Sequence, residues 1–78
     1  MNWEEVNEFR NQYFKDHPYQ EPADGTPLAR LWRSGYYDGL DGRDVGYSHD
    51  LSKFSEEEKA YYADGYIRGS DELWDDID

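Results

Sequence analysis

Gly35-Tyr36-Tyr37-Asp38-Gly39 and Gly65-Tyr66-Ile67-Arg68-Gly69 are two copies of one pattern, Gly-Tyr-x-x-Gly, within a chain of 78 residues. A glycine inside a helix costs about 1 kcal/mol relative to alanine, so two pairs at i and i+4 need a compensating contact. Glycines four apart lie on one helical face and remove the side chains that hold two backbones apart. Each adjacent tyrosine then packs beside the gap. The motifs predict a close crossing of two helices, with the glycines serving the fold.

The surrounding residues carry the same message. Leu28, Leu31, Trp32, Gly35, Tyr36, Gly39 and Leu40 recur at helical spacing, an amphipathic stripe of about four turns. Thr26-Pro27 supplies a cap residue followed by proline at the first helical position, where its missing N–H is harmless. This helix is expected over 27–42, stopping at Gly42-Arg43. Ser55-Glu56-Glu57-Glu58 is a full capping box with carboxylates in the first turn, and it opens a helix expected over 56–69. The apolar face there is Tyr62, Gly65, Tyr66 and Gly69, flanked by Tyr61 and Ile67. Three outcomes are open after Gly69. Ser70-Asp71-Glu72 caps a short fourth helix carrying Leu73, Trp74 and Ile77, or the helix runs straight through, or residues 70–78 form a loose acidic tail.

Before the first motif, Asn2 and Glu5 approximate a capping box, and Trp3, Val6, Phe9, Tyr13 and Phe14 share one helical face. A helix over 3–15 follows, ended by Asp16-His17-Pro18, since a residue before proline is driven out of the helical region. Residues 18–25 hold two prolines and an Asp-Gly pair and read as a loop. Residues 44–54 read as a second loop that buries one or two of Tyr47, Leu51 and Phe54. No alternating strand pattern of useful length occurs. The expected fold is all-α: a single domain over 1–78 with three helices and a short acidic C-terminal helix or tail.

Composition limits function. Asp and Glu number 19 against 8 Lys and Arg, a net charge of −11, and there is no cysteine. High charge with low hydropathy marks disordered chains, but three Trp, eight Tyr and three Phe supply the large buried areas that a folded core needs. One small domain has no room for the layered core of a nucleotide-binding or barrel enzyme. The absence of cysteine excludes disulfides and thiolate metal cages. No run approaches the roughly 20 apolar residues of a membrane span, and Met1-Asn2-Trp3-Glu4-Glu5 lacks a signal-peptide layout. A cytoplasmic location is expected, that of the host cell if the chain is phage-encoded. The charge argues against direct binding to nucleic acid or anionic membrane, which depends on Lys and Arg meeting phosphates.

Gly35-Tyr36, Gly39, Gly42-Arg43, a connecting loop, then Tyr62, Gly65-Tyr66 and Gly69 together resemble the ribosome modulation factor family and its small bacterial and phage relatives, over roughly residues 33–69. The resemblance implies two helices joined by a loop and a role in binding ribosomal RNA during hibernation. Family chains are basic, whereas this one is acidic and carries an additional N-terminal helix.

Residues that would carry chemistry do not assemble into a motif. His17 and His49 each sit beside an aspartate, in loops and without an i+3 or i+4 partner, and read as surface histidines. Asp38, Asp41 and Asp44 are three apart, whereas a calcium loop needs ligands at its first, third and fifth positions. No serine has a base beside it, and general acid–base work needs a sheltered carboxylate pair. No catalytic residue, metal or cofactor is assigned, and the chain reads as a non-enzyme.

Charge is unevenly placed: residues 1–39 hold seven acids and four bases, residues 40–78 twelve acids and four bases. Glu57, Asp64 and Asp71 are seven apart and form a line along the third helix if it continues past Gly69. Asp71, Asp75 and Asp78 extend that line, Glu72 and Asp76 lie beside it, and Asp38 and Asp41 share a face with Asp44 following. Such ridges space carboxylates comparably with successive phosphates. These acids, with Trp74, are the candidate partner-binding residues, and exposed members of Trp3, Tyr19, Tyr37, Tyr47, Tyr61 and Trp74 would add aromatic anchors. The leading expectation is a nucleic-acid-mimic inhibitor of anti-CRISPR or anti-restriction type that occupies the basic surface of a nucleic-acid-binding protein or complex. Two further expectations are a ribosome-associated regulator using Arg30, Arg33 and Arg43, and an interaction protein whose tail, residues 71–78, is itself a docking peptide.

Overall fold

A computed structural model describes residues 2–77, with side chains described as far as Asp75. Three helices follow one another: α1 (Trp3–Asp16), α2 (Pro27–Leu40) and α3 (Glu56–Ile77), with a single 3₁₀ turn (Leu51–Lys53) between the last two. No strand occurs among the described residues, as the all-α expectation requires.

Each helix begins at a capped position that the sequence announces. The Glu5 N–H donates to Asn2 Oδ1 at 2.8 Å and the Ala29 N–H to Thr26 Oγ1 at 3.3 Å. At α3 the box is reciprocal: the Glu58 N–H donates to Ser55 Oγ (3.2 Å) and the Ser55 N–H to Glu58 Oε1 (3.0 Å). Helix α2 stops at Leu40, two residues short of the expected 42. Gly42 turns left-handed (φ +73°), and the Arg43 N–H closes back on the Asp38 carbonyl at 2.9 Å, satisfying a carbonyl that the helix end leaves open.

Helix α3 passes the expected end at 69 and is continuous from Glu56 to Ile77, the second of the three outcomes left open after Gly69, so residues 70–77 are neither a separate helix nor a loose tail. Gly69 is not a terminator. It lacks the positive φ of a helix-ending glycine, which only Gly25, Gly42 and Gly46 adopt. Its missing side chain is used for packing instead.

That packing is reciprocal. A Cβ added at Gly35 would fall within 3.0 Å of the Tyr62 carbonyl oxygen, and one at Gly39 would do the same to the Tyr66 carbonyl. Gly65 faces the Trp32 carbonyl in this way and Gly69 the Tyr36 carbonyl. Each glycine Hα therefore points at a backbone oxygen of the opposite helix, the arrangement of weak Cα–H···O contacts at close helix crossings. Advancing four residues along α2, from Gly35 to Gly39, advances the contact four residues along α3, from Tyr62 to Tyr66. The two helices run in the same direction, with a constant offset of about thirty residues. The segment between them must return along the whole pair, which accounts for its length.

The core lies where α1 and the return segment cover this pair. Val6, Leu31, Tyr62, Ala63, Tyr66 and Ile67 are buried together, with Val45, Leu51 and Phe54 packed against them. Tyr61 is buried as well, its ring against Phe14 and its hydroxyl donating to the Gln20 carbonyl at 3.0 Å, which fastens the first loop. On α1 only Val6 is buried; Phe9, Tyr13 and Phe14 are half-buried and Trp3 is exposed.

Candidate functional site

Two of the aspartates proposed as surface ligands are inside the protein. Asp38 is 3% exposed and Asp64 4%, so both are withdrawn from the expected acidic ridges. Asp38 Oδ2 accepts the Tyr62 hydroxyl at 2.5 Å, the Ser48 hydroxyl at 2.7 Å and the Ser48 N–H at 3.2 Å. The Tyr62 oxygen in turn accepts the Gly46 N–H at 2.9 Å. This network ties the return segment to both helices of the pair. Burial first, and then the hydrogen bond to Asp38, raise the Tyr62 phenol above its ordinary value. Burial also raises Tyr66, with the negative charges of Asp44 and Asp38 adding to it.

Asp64 does the equivalent for α1. It accepts the Trp32 indole N–H at 2.8 Å and pairs with Arg68 at 3.0 Å and with Arg10 at 3.6 Å, so three helices meet at one carboxylate. A charge this buried is tolerated because each oxygen has a partner.

With Asp64 removed, the line from Glu57 to Asp71 is broken. Asp16, Glu21, Asp24, Glu56 and Glu57 are exposed elsewhere, while one group of exposed acids gathers at the C-terminal ends of α2 and α3. Because α2 and α3 run in the same direction, their C-termini come together there. A Cβ on Gly42 would meet the Leu73 side chain at 3.3 Å, the Tyr66 hydroxyl donates to the Arg43 carbonyl at 2.6 Å, and the Tyr36 hydroxyl donates to Glu72. Asp41, Asp44, Asp71, Glu72 and Asp75 are all exposed at these two helix ends. Each C-terminus adds roughly half a negative charge, and neither helix carries a basic residue in its last turn. Arg43 is the nearby cation, in a loose exposed pair with Asp41 at 3.9 Å and stacked over Tyr47 at 4.4 Å, which offsets little of the field.

The start of α1 joins the same pole. Trp3 and Glu4 line a groove of about 590 Å³ together with Gly39, Gly42, Tyr66, Ser70, Asp71, Leu73 and Trp74. Trp74 is 64% exposed and Trp3 40%. Tyr19, Tyr37 and Tyr47 are exposed too, but Tyr61, offered as an anchor, is core. Glu57 is exposed at the far end of α3, fourteen residues from Asp71, about 21 Å along a helix. The side chains of Asp76, Ile77 and Asp78 lie outside the described residues.

The tail expected as a docking peptide divides in two. Ser70 is buried and Leu73 half-buried against the end of α2, whereas Asp71, Glu72, Trp74 and Asp75 are exposed. Among the described residues no group of three or more His, Asp or Glu side chains could hold a metal ion, and no helix is long and apolar enough to cross a membrane. Compared with family models, curated proteins and solved structures, the chain has no match.

The pole was not legible as such, because the direction of one helix relative to the other is absent from either motif alone. The burial of Asp38 did have a signal: Leu31, Gly35 and Asp38 stand at i, i+4 and i+7, on the stripe that faces α3. Ala60, Asp64 and Ile67 repeat that spacing.

Proposed function

We propose that this chain is an acidic protein-binding inhibitor, a nucleic-acid mimic of anti-defence type such as an anti-CRISPR or anti-restriction protein, and that its acidic pole occupies a basic nucleic-acid-binding surface of a host complex. The observation that carries this reading is the convergence of five exposed carboxylates and the C-termini of α2 and α3 at one end of the molecule, where the positive start of α1 carries its own carboxylates Glu4 and Glu5. Duplex DNA presents one charge per about 1.7 Å of axis, and a compact pole of like charges competes for the same basic cleft. Long-range attraction speeds encounter, and desolvated aromatic contacts supply the slow dissociation. An enzyme reading has no support from a sheltered carboxylate pair, since both buried aspartates are occupied in holding helices together.

Displacement of a labelled DNA duplex from Cas effector and restriction complexes, followed by fluorescence anisotropy, tests the reading. The wild-type chain displaces DNA from its target, and the Asp41→Lys, Asp71→Lys, Asp75→Lys triple variant does so at least tenfold less well with unchanged helical content. Equal displacement by the triple variant, or none by the wild type from any such complex, overturns it. A ribosome-associated role keeps one supporting observation: Arg30 and Arg33 are exposed and have no ion pair among the described residues. Co-sedimentation with ribosomes that is lost on Arg30→Glu, Arg33→Glu would favour that role instead.

A further inference from the structure

Trp3 and Trp74 stand on different helices, in the first turn of α1 and the last turn of α3, yet both line the groove at the acidic pole. They are among the few large apolar side chains that the fold leaves exposed, at 40% and 64%. Tyr66 and Leu73 contribute further apolar surface to the groove, and Glu4 and Asp71 supply carboxylates. At about 590 Å³ it falls within the range of sites that enclose a ligand group, roughly 300–1,000 Å³.

The chemistry of the lining selects the occupant. An anion meets Glu4, Asp71 and two helix C-termini, and the one positive helix end there, the start of α1, is already capped by Asn2 and flanked by Glu4 and Glu5. A purely apolar segment would cover the tryptophans but strip water from Glu4 and Asp71 without giving either a partner. A cation with a flat, weakly hydrated face satisfies both sets of groups, since guanidinium stacks on an indole and bonds a carboxylate through two parallel N–H groups. Lysine ammonium is a compact, strongly hydrated charge and gains less from the aromatic faces. We propose that the groove is an arginine-binding cleft, which takes arginine side chains from a basic segment of the partner protein between Trp3 and Trp74. This rests on the acidic-pole reading and adds the residue type that the pole selects. A phosphate mimic without the two tryptophans lacks the stacking part of that selection.

The test uses the full ¹⁵N-labelled chain titrated with nona-arginine and, separately, nona-lysine, and it follows the three indole N–H resonances. Trp32 donates its indole N–H to buried Asp64 and serves as the internal reference. The Trp3 and Trp74 signals should move with nona-arginine while that of Trp32 stays. Nona-arginine should bind about fivefold more tightly than nona-lysine, the size of one exposed cation–π contact. In Trp3→Leu, Trp74→Leu, which alters exposed positions, that preference should fall at least about twofold, leaving only what bidentate carboxylate pairing gives. Equal affinity for both peptides in the wild type, or a preference that is undiminished in the leucine variant, overturns the arginine cleft while charge-dependent binding leaves the acidic pole standing. If neither peptide binds, or if binding is unaffected by the Asp41, Asp71 and Asp75 reversals, the acidic-pole reading fails and the cleft with it.

Discussion

Gly39 illustrates how one residue type carries opposite energies in different places. Replacing an interior helix glycine by alanine ordinarily stabilises a helix by about 1 kcal/mol. Here the added carbon falls within 3.0 Å of the Tyr66 oxygen and the Ser70 nitrogen, both backbone atoms that cannot rotate away. Overpacking costs about 1–3 kcal/mol, and a clash with backbone stands at the upper end because nothing can rotate away, so the clash wins. Gly39→Ala and Gly69→Ala should each lower the urea midpoint, and a raised midpoint would show that the helices do not touch there. Tyr62 makes a second prediction. Its phenol is raised above its ordinary value of 10.0, so the folded state holds the proton more tightly than the unfolded chain does. The associated stability is complete below pH 10 and is lost as pH climbs above it. Denaturation followed at increasing alkaline pH should show that decline, and Tyr62→Phe should flatten it; an unchanged slope in the variant would place the effect elsewhere. The glycine contacts were readable from spacing because a missing side chain has few uses inside a helix. The roles of Asp38 and Asp64 were not, since a carboxylate within a strongly acidic composition reads first as surface.

Among the elements, helix starts were more legible than helix ends. Asn2, Thr26 and Ser55 cap where the sequence places them, because a cap is a local bond between residues three apart. Thr26→Ala should therefore cost about 1 kcal/mol in a thermal or chemical melt. The end of α3 depends instead on a non-local contact: Gly69 continues the helix because Tyr36 of α2 occupies the space beside it. Two truncations separate these causes. Removing residues 74–78 leaves Ser70 and Leu73 in place and should preserve most of the stability, whereas removing 70–78 uncovers the end of α2 and should lower the melting temperature sharply. Equal melting temperatures for both would mean that the last turns of α3 contribute nothing to the core.

At the scale of the whole molecule, the parallel course of α2 and α3 converts a composition into a surface. A net charge of −11 disfavours an anionic partner and does not say where on the surface the charge lies. Two helices running the same way bring Asp41 and Asp44 beside Asp71, Glu72 and Asp75, add two negative helix ends, and leave the acidic first turn of α3 at the opposite end, against a positive one. Antiparallel packing of the same two motifs would have placed Asp41 and Asp44 beside Glu56 and Glu57 instead of beside Asp71 and Glu72. The direction of α2 relative to α3 is thus the central claim, and the absence of cysteine makes it directly measurable. Spin labels attached through Asp41→Cys with Asp71→Cys, and through Asp41→Cys with Glu57→Cys, should give a short distance for the first pair and one longer by up to about 20 Å for the second, from the rise along fourteen helical residues. The reverse order of distances would contradict the parallel crossing and with it the acidic pole.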